Sequence, residues 1–524
     1  MSDSIHIYDT TLRDGCQAEG IAFSVQDKIL VAKRLDDLGV AYVEGGWPNP
    51  TSPKDREFFE RAADLPWKTA KIAAFGSTRR ADIAPEDDVN LQDLVASRAP
   101  VVTIFGKTWD LHVTEVLRTT VEENYRMIED SVAWLKSQVG EVIFDAEHFF
   151  DGFKADREFA LECLRAAERG GADCLTLCDT TGGTLPLEIV DIINEVRSAV
   201  PTPLGIHCHN DSGTAVASSI LAIQAGCLQV QGTINGFGER TGNANLCTII
   251  PNLQLKLGLQ CLPDNQISEI TTVSHYVSEI ANVLPDPRAP YVGSSAFAHK
   301  GGMHVNAVMK MPESFEHIKP EQVGNERRIL VSDYSGSSTI FGKLKSLWPD
   351  LDRKDPIVSD VLEKVKDLEN SGYAFEAAEA SLQILAKRLR GELQHLFNLH
   401  GYRVMIGKPD EASEPYSEAT VKVSIGDREV HTAADGEGPV NALDKALRKA
   451  LTELFPKLES LQLVDYKVRV LTADEGTATQ VRVLIETTDG QDNWGTVGVH
   501  ENIIEASWQA LVDSILYGLM KNGG

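Results

Sequence analysis

Between residue 5 and about residue 258, short β-branched runs alternate with longer stretches of helical periodicity, and the alternation repeats eight times. The strand candidates are Ile5 to Asp9, Ala41 to Glu44, Lys71 to Phe75, Val101 to Phe105, Glu141 to Asp145, Cys174 to Asp179, Leu204 to His209 and Leu228 to Thr233. Amphipathic segments such as VQDKILVAKRLDDLG and LEIVDIINEVRSAV predict helices between them. Eight βα units in roughly 250 residues are what a closed (β/α)8 barrel needs. An open doubly wound sheet, the rival, usually has fewer strands and a phosphate-binding glycine fingerprint after the first strand, which is missing here.

With 524 residues, 42% of them hydrophobic, the chain exceeds what one compact core accommodates, so further domains are expected. The strand rhythm is lost after about residue 265, and the expected organisation is an α/β chain in three parts. A TIM barrel spans 1–264, helical linker subdomains span 265–395, and an α+β domain spans 396–524. In the last part the order is strands, helix, strands, helix, and GEGPVNALDKALRKAL is echoed by ENIIEASWQALVDSIL, which predicts an internal duplication.

The formal charge of −27, from 77 acidic against 50 basic residues, argues against nucleic-acid and anionic-membrane partners, and any anionic substrate must meet local positive charge. The opening MSDSIHIYDTTLRDG has no basic start followed by an apolar run, so a soluble cytoplasmic protein is expected. The eight cysteines show no disulfide-framework spacing, and Cys174 and Cys178 read as buried reduced thiols.

In a parallel barrel, catalytic groups come from the C-terminal strand ends and the loops after them. The seventh strand ends in His207-Cys208-His209-Asn210-Asp211, and the two-residue strand period points both imidazoles the same way. Alone, such a pair is almost as readily a structural one. The same mouth, however, receives Asp14 after strand one and Asn243 after strand eight. Two imidazoles with carboxylate and amide oxygens suit a divalent ion such as Mn²⁺, Mg²⁺, Co²⁺ or Zn²⁺. Arg13, which alone reads as half of a surface ion pair, becomes beside such an ion a donor to a developing oxyanion. Asp145-Ala146-Glu147-His148 follows strand five, Asp179-Thr180-Thr181-Gly182 follows strand six, and Gly236-Phe237-Gly238-Glu239-Arg240-Thr241-Gly242-Asn243 follows strand eight, with glycines that permit close backbone approach to a ligand. That last run has its third glycine one position late for a dinucleotide fingerprint, and Val101 stands where a phosphate loop ending in Gly106-Lys107-Thr108 would need glycine.

Taken together, DTTLRDG, HCHND, NGFGERTGNAN and FAHKGGMHVNAV resemble the 2-isopropylmalate, homocitrate and citramalate synthase family, over essentially the whole chain. VEGGWPNPTSPKD, IFGKTWDLHVTEVL, DAEHFFDGFK and SGYAFEAAEASLQIL are most similar to its citramalate branch. The resemblance implies an acyltransferase that joins acetyl-CoA to a small 2-oxo acid, pyruvate in that branch, on a homodimer. It implies metal ligation by Asp14, His207 and His209 with Asn243 near or within the shell, and contacts from Arg13 and Thr180 to the 2-oxo acid. Glu147 would position or activate the reacting groups, and His304 would reach the active site, with delivery from the partner subunit an open alternative. Read without the resemblance, His304 is a surface-loop histidine. The tail is similar to the family's regulatory domain, which implies feedback inhibition, by isoleucine in the citramalate branch. Cys16-Gln17 and Gly45-Gly46-Trp47-Pro48 depart from the commoner pattern near the substrate mouth, so specificity does not carry over from leucine-pathway relatives. Rival readings are 2-isopropylmalate or homocitrate synthesis, a metal-dependent acyl-CoA lyase or aldolase, and a non-catalytic amino-acid-binding regulator.

Overall fold

The computed structural model describes residues 5–263, 265–331, 337–393, 396–471 and 480–521. It divides into two compact units, Met1–Phe297 with His317–Arg327, and Ala298–Glu316 with Arg328–Gly524. In the first, eight parallel strands close in sequence order: β1 (His6–Asp9), β2 (Tyr42–Gly46), β3 (Lys71–Ser77), β4 (Val101–Lys107), β5 (Glu141–Glu147), β6 (Cys174–Asp179), β7 (Leu204–Cys208) and β8 (Gln229–Gly232), which pairs back onto β1. The expected barrel is present, with no predicted strand end displaced by more than two residues. β3, β4 and β5 outrun their last predicted residues because the ladder follows backbone pairing: Ser77 pairs with Phe105 and Lys107 with Glu147, polar rim side chains notwithstanding. β7 stops one residue early, and His209 continues it only as an isolated bridge to Asn243.

The two faces of the strands do different work. Ile7, Val43, Ile72, Val102, Phe144, Leu175, Ile206 and Val230 face the helices in the main apolar core. Tyr8, Tyr42, Ala73, Val101, Ile143 and Cys174 form a separate cluster that fills the barrel interior. Advancing from these in steps of two reaches Phe75, Phe105, Asp145, Glu147 and Cys178, all of which line a cavity at the C-terminal strand ends. The alternation that closes the core therefore also populates the mouth.

Local signals place the elements. The helix Val25–Leu38 begins at Ser24, whose side chain accepts from Asp27 N while Asp27 accepts in return, and it ends at Gly39 with φ 92°. In the second unit the helices Ser337–Leu347, Pro356–Asn370 and Glu379–Leu389 contribute to an apolar cluster of their own. Two three-stranded antiparallel sheets follow, Asn398–Gly407, Tyr416–Ile425 and Arg428–Gly436, then Gln462–Val470, Val481–Thr488 and Asn493–His500. Each is succeeded by one helix, Pro439–Leu451 and Ile503–Lys521, so the expected repeat is seen. Among the described residues no helix is long and apolar enough to cross a membrane. Cys174 and Cys178 are buried and free of disulfides.

One turn at the mouth is clamped from below. Buried Lys28 donates to Gly45 O at 3.0 Å and pairs with Asp55, whose carboxylate also accepts from Trp47 N at 3.0 Å. Gly46 has φ +143°, and a Cβ there would lie 2.5 Å from Asp55 Cγ. Gly46→Ala should therefore lower stability by about 1–3 kcal/mol, seen as a lower melting temperature; an unchanged melt would contradict this account of the turn.

Candidate active site

The turn after β1 presents Asp14, and β7 with the residue just past it presents His207 and His209. His207 Nε2 lies 3.4 Å from Asp14 Oδ2 and 3.4 Å from His209 Nε2, and His209 Nε2 is 3.8 Å from Asp14 Oδ2. All three residues are buried, and among the described residues this is the one His/Cys/Asp/Glu group whose ligand atoms lie within 4.8 Å of one another. Burial would raise the Asp14 pKa, but Arg13 and the two imidazoles hold it well below the carboxylate range. Burial opposes charge on His207, yet Asp14 outweighs it and raises its pKa; His209, buried and beside His207, is lowered to about 4. Three donors crowded without solvent are what a divalent cation would satisfy. Asn243 is buried, donates through Nδ2 to Phe237 O at 3.1 Å, and leaves Oδ1 with no hydrogen-bond partner, which also fits a nearby cation. Gly238, at φ +153°, makes room for that amide: a Cβ would stand 2.2 Å from Asn243 Nδ2. The glycine at this position serves the packing of the loop on itself.

Arg13 is fixed by a residue that the sequence reading did not single out. Fully buried Glu44, on β2, accepts from Arg13 Nε at 2.6 Å, from Tyr8 OH at 2.8 Å and from Thr10 Oγ1. The guanidinium carbon sits 3.7 Å from the centroid of the Phe75 ring. The one signal for Glu44 in the sequence is a lone carboxylate in step with Tyr42 on β2, and its partner Arg13 is not given by that signal.

The cavity at this mouth has a volume of about 280 Å³. Arg13, Asp14, Glu147, Thr180, His207 and His209 all line it, so six of the eight candidates meet in one place. Asn243 joins through its bridge to His209. His304 belongs to the second unit, on the helix Gly302–Lys310, exposed, with its ring 4.4 Å from that of Phe315. Glu147 is ion-paired with Lys107. Thr180 Oγ1 accepts from His148 N at 2.9 Å, which leaves the hydroxyl hydrogen free to donate. Arg240, another unpredicted lining residue, is held by Asp211 through bonds of 2.7 and 2.9 Å and donates to Thr180 O at 2.9 Å. Trp47, Phe75 and Phe105 form an aromatic wall, Trp47 meeting the other two rings edge-on at 5.9 and 5.8 Å.

Comparison with known proteins decides among the metal-dependent barrels. The HMGL-like family model matches residues 4–277, the homocitrate synthase post-HMGL domain-like model 291–372, and the LeuA allosteric (dimerisation) domain model 376–519. The chain is 55% identical to the (R)-citramalate synthase of Aquifex aeolicus over 100% of this chain and 99% of the relative. It is 54% identical to the (R)-citramalate synthase of Geobacter sulfurreducens over 99% and 98%. The chain belongs to the 2-isopropylmalate, homocitrate and citramalate synthase family. A probable 2-isopropylmalate synthase of Methanopyrus kandleri is 31% identical, with 98% of each chain covered. The chain is thus an enzyme of the transferase class, and it stands nearest the citramalate side of that family among these relatives.

Removing Glu44 would take away the acceptor of Arg13 Nε and leave the buried guanidinium with only its 3.4 Å pair to Asp14 as a carboxylate partner. Glu44→Ala should cost about 3–5 kcal/mol of stability, read as a fall in the thermal midpoint with Glu44→Gln falling less; equal melts for all three proteins would contradict the ion-pair account.

Proposed function

We propose that the chain condenses acetyl-CoA with pyruvate, releasing CoA and (R)-citramalate. The observation that carries this reading is the meeting of Asp14, His207 and His209 with Arg13 in one cavity, on a chain 46–55% identical to five (R)-citramalate synthases. Identity to one 2-isopropylmalate synthase and two probable ones is 29–31%, which favours pyruvate over 2-oxoisovalerate as acceptor.

Asp14, His207 and His209, with Asn243 at the edge, would hold a divalent ion, Mn²⁺ or Mg²⁺ foremost and Zn²⁺ or Co²⁺ as alternatives, which when bound supplies Lewis-acid polarisation of the keto group. Arg13 donates to the oxygen that gains negative charge as the keto carbon is attacked, and Glu44 holds its guanidinium aimed there. The free hydrogen of Thr180 Oγ1 is offered to the 2-oxo acid. The acetyl methyl is a very weak acid, so a base and a donor to the thioester oxygen must work together beside the carbonyl. Glu147, steadied by Lys107, and His304 are the candidates for these roles. Hydrolysis of the resulting thioester then frees CoA and makes the sequence effectively irreversible.

The two repeats of the second unit, in the region matched by the allosteric (dimerisation) domain model, support a homodimer with a feedback effector, which the resemblance to the citramalate branch makes isoleucine. On this reading the chain acts in the cytoplasm at the first step of the pyruvate route to isoleucine. Residues 1–264 carry the barrel and most of the chemistry, 265–395 link and supply His304, and 396–524 sense.

CoA release by the Mn²⁺-supplemented protein should be markedly faster with pyruvate than with 2-oxoisovalerate or 2-oxoglutarate. Preference for either of the others would move the assignment to leucine- or lysine-type chemistry, and no release with any of them would overturn it. Exhaustive chelation should abolish release, and Mn²⁺ at 100 times its Kd should restore it while stabilising the fold by about 2.7 kcal/mol. Isoleucine should inhibit the full-length enzyme where leucine does not; insensitivity to isoleucine would contradict the sensor role.

A further inference from the structure

Below His207 lies a chain of buried side chains that the proposed chemistry does not use. His207 Nδ1 is 3.0 Å from Gln231 Oε1, and Gln231 Nε2 is 2.9 Å from Asp145 Oδ1. Gln231 Nε2 is also 3.2 Å from Thr176 Oγ1, which itself donates to Gln229 Oε1 at 3.2 Å. His207, Gln231, Asp145, Thr176 and Gln229 are all buried, so water does not compete for these bonds.

The directions of these bonds follow from one end. An ionised carboxylate only accepts, so Asp145 requires the amide nitrogen of Gln231 to face it. Thr176 Oγ1, which donates to Gln229, accepts from the same nitrogen, but its hydroxyl can turn to donate instead, so Asp145 is the group that dictates the flip. The Gln231 oxygen must then face His207, and it too only accepts, so Nδ1 of His207 must carry the proton. The lone pair is thereby confined to Nε2, the nitrogen turned toward Asp14 and His209. His209 has no such constraint, since its Nδ1 is buried without a partner.

We infer that Asp145 and Gln231 are positioning residues that lock His207 in the Nδ1–H tautomer and so set the donor strength of the Asp14–His207–His209 centre. The inference rests on reading that group as a metal centre. An outer partner of a ligating imidazole fixes its orientation and raises its basicity, and loss of one costs about 10–100-fold in metal affinity.

The test is Mn²⁺ binding to the full-length protein, with Mn²⁺ alone as probe, followed by electron paramagnetic resonance of the free ion. Gln231→Leu should weaken binding by about 10–100-fold. Asp145→Asn should weaken it less, because an amide at 145 can face either end of Gln231 and no longer dictates its flip. The double variant Gln231→Glu with Asp145→Asn restores the order, since the carboxylate introduced at position 231 would accept from both His207 and the new amide at unchanged total charge. It should therefore bind Mn²⁺ within a few-fold of wild type. A packing role would not let the second change, Gln231→Glu, recover what Asp145→Asn loses. Wild-type affinity in Gln231→Leu with a native circular dichroism spectrum, or a double variant no better than Asp145→Asn, would overturn the relay. A wild-type protein that takes up no Mn²⁺ would overturn the metal reading and the relay with it.

Discussion

The mouth depends first on the two-residue alternation of eight parallel strands, interrupted by a register shift between Glu44 and Gly46, and on the turns that follow the strands. In a closed barrel each strand has one face in the interior, and a register slip of one residue would exchange core and site together. Steps of two carry Ile143 in the apolar floor to Asp145 and Glu147 at the mouth, and Cys174 to Cys178 and Thr180. His207 on β7 and His209 just past its end keep the same period. The chemistry is thus assembled from residues remote in sequence by the geometry that closes the hydrophobic core.

A barrel interior carrying that many polar groups is tolerable only because they satisfy one another. Glu44 compensates Arg13 and takes two hydroxyl donors besides. Asp145, whose pKa burial and the nearby Glu44 charge push up to about 6, receives the Gln231 amide. At one point three ligand-type side chains face one another, and beside them Asn243 Oδ1 has no partner. The surplus of donors there, set beside a fixed guanidinium, is the physical basis for placing carbonyl chemistry at this spot. On the proposed reading, the anionic substrates of this acidic chain would meet positive charge at Arg13 and Arg240, both of which line the cavity.

The barrel was legible because period-two and period-3.6 patterns survive in a single sequence, and the duplicated tail because two helices repeat a similar face. Asp14, His207 and His209 were legible as residue types at strand ends, where topology alone brings them together. Glu44, Gln231 and Arg240 escaped notice for different reasons. The first two sit inside strands, where a polar residue gains meaning only from its cross-barrel neighbours: Arg13 is 31 positions from Glu44, and Asp145 is 86 from Gln231. Arg240 lay within a motif read for its glycines, and its tie to Asp211 depends on how that loop folds. His304 belongs to the second unit, and its role rests on the family resemblance.

The central claim is that Asp14, His207 and His209 form a divalent-metal centre at the substrate cavity. Anomalous diffraction at the manganese edge from crystals grown with Mn²⁺ and pyruvate tests it directly. The account predicts one strong anomalous peak between Asp14 Oδ2 and the two Nε2 atoms, with pyruvate density beside it against Arg13. A peak elsewhere with this trio bare, or pyruvate bound away from Arg13, would contradict it.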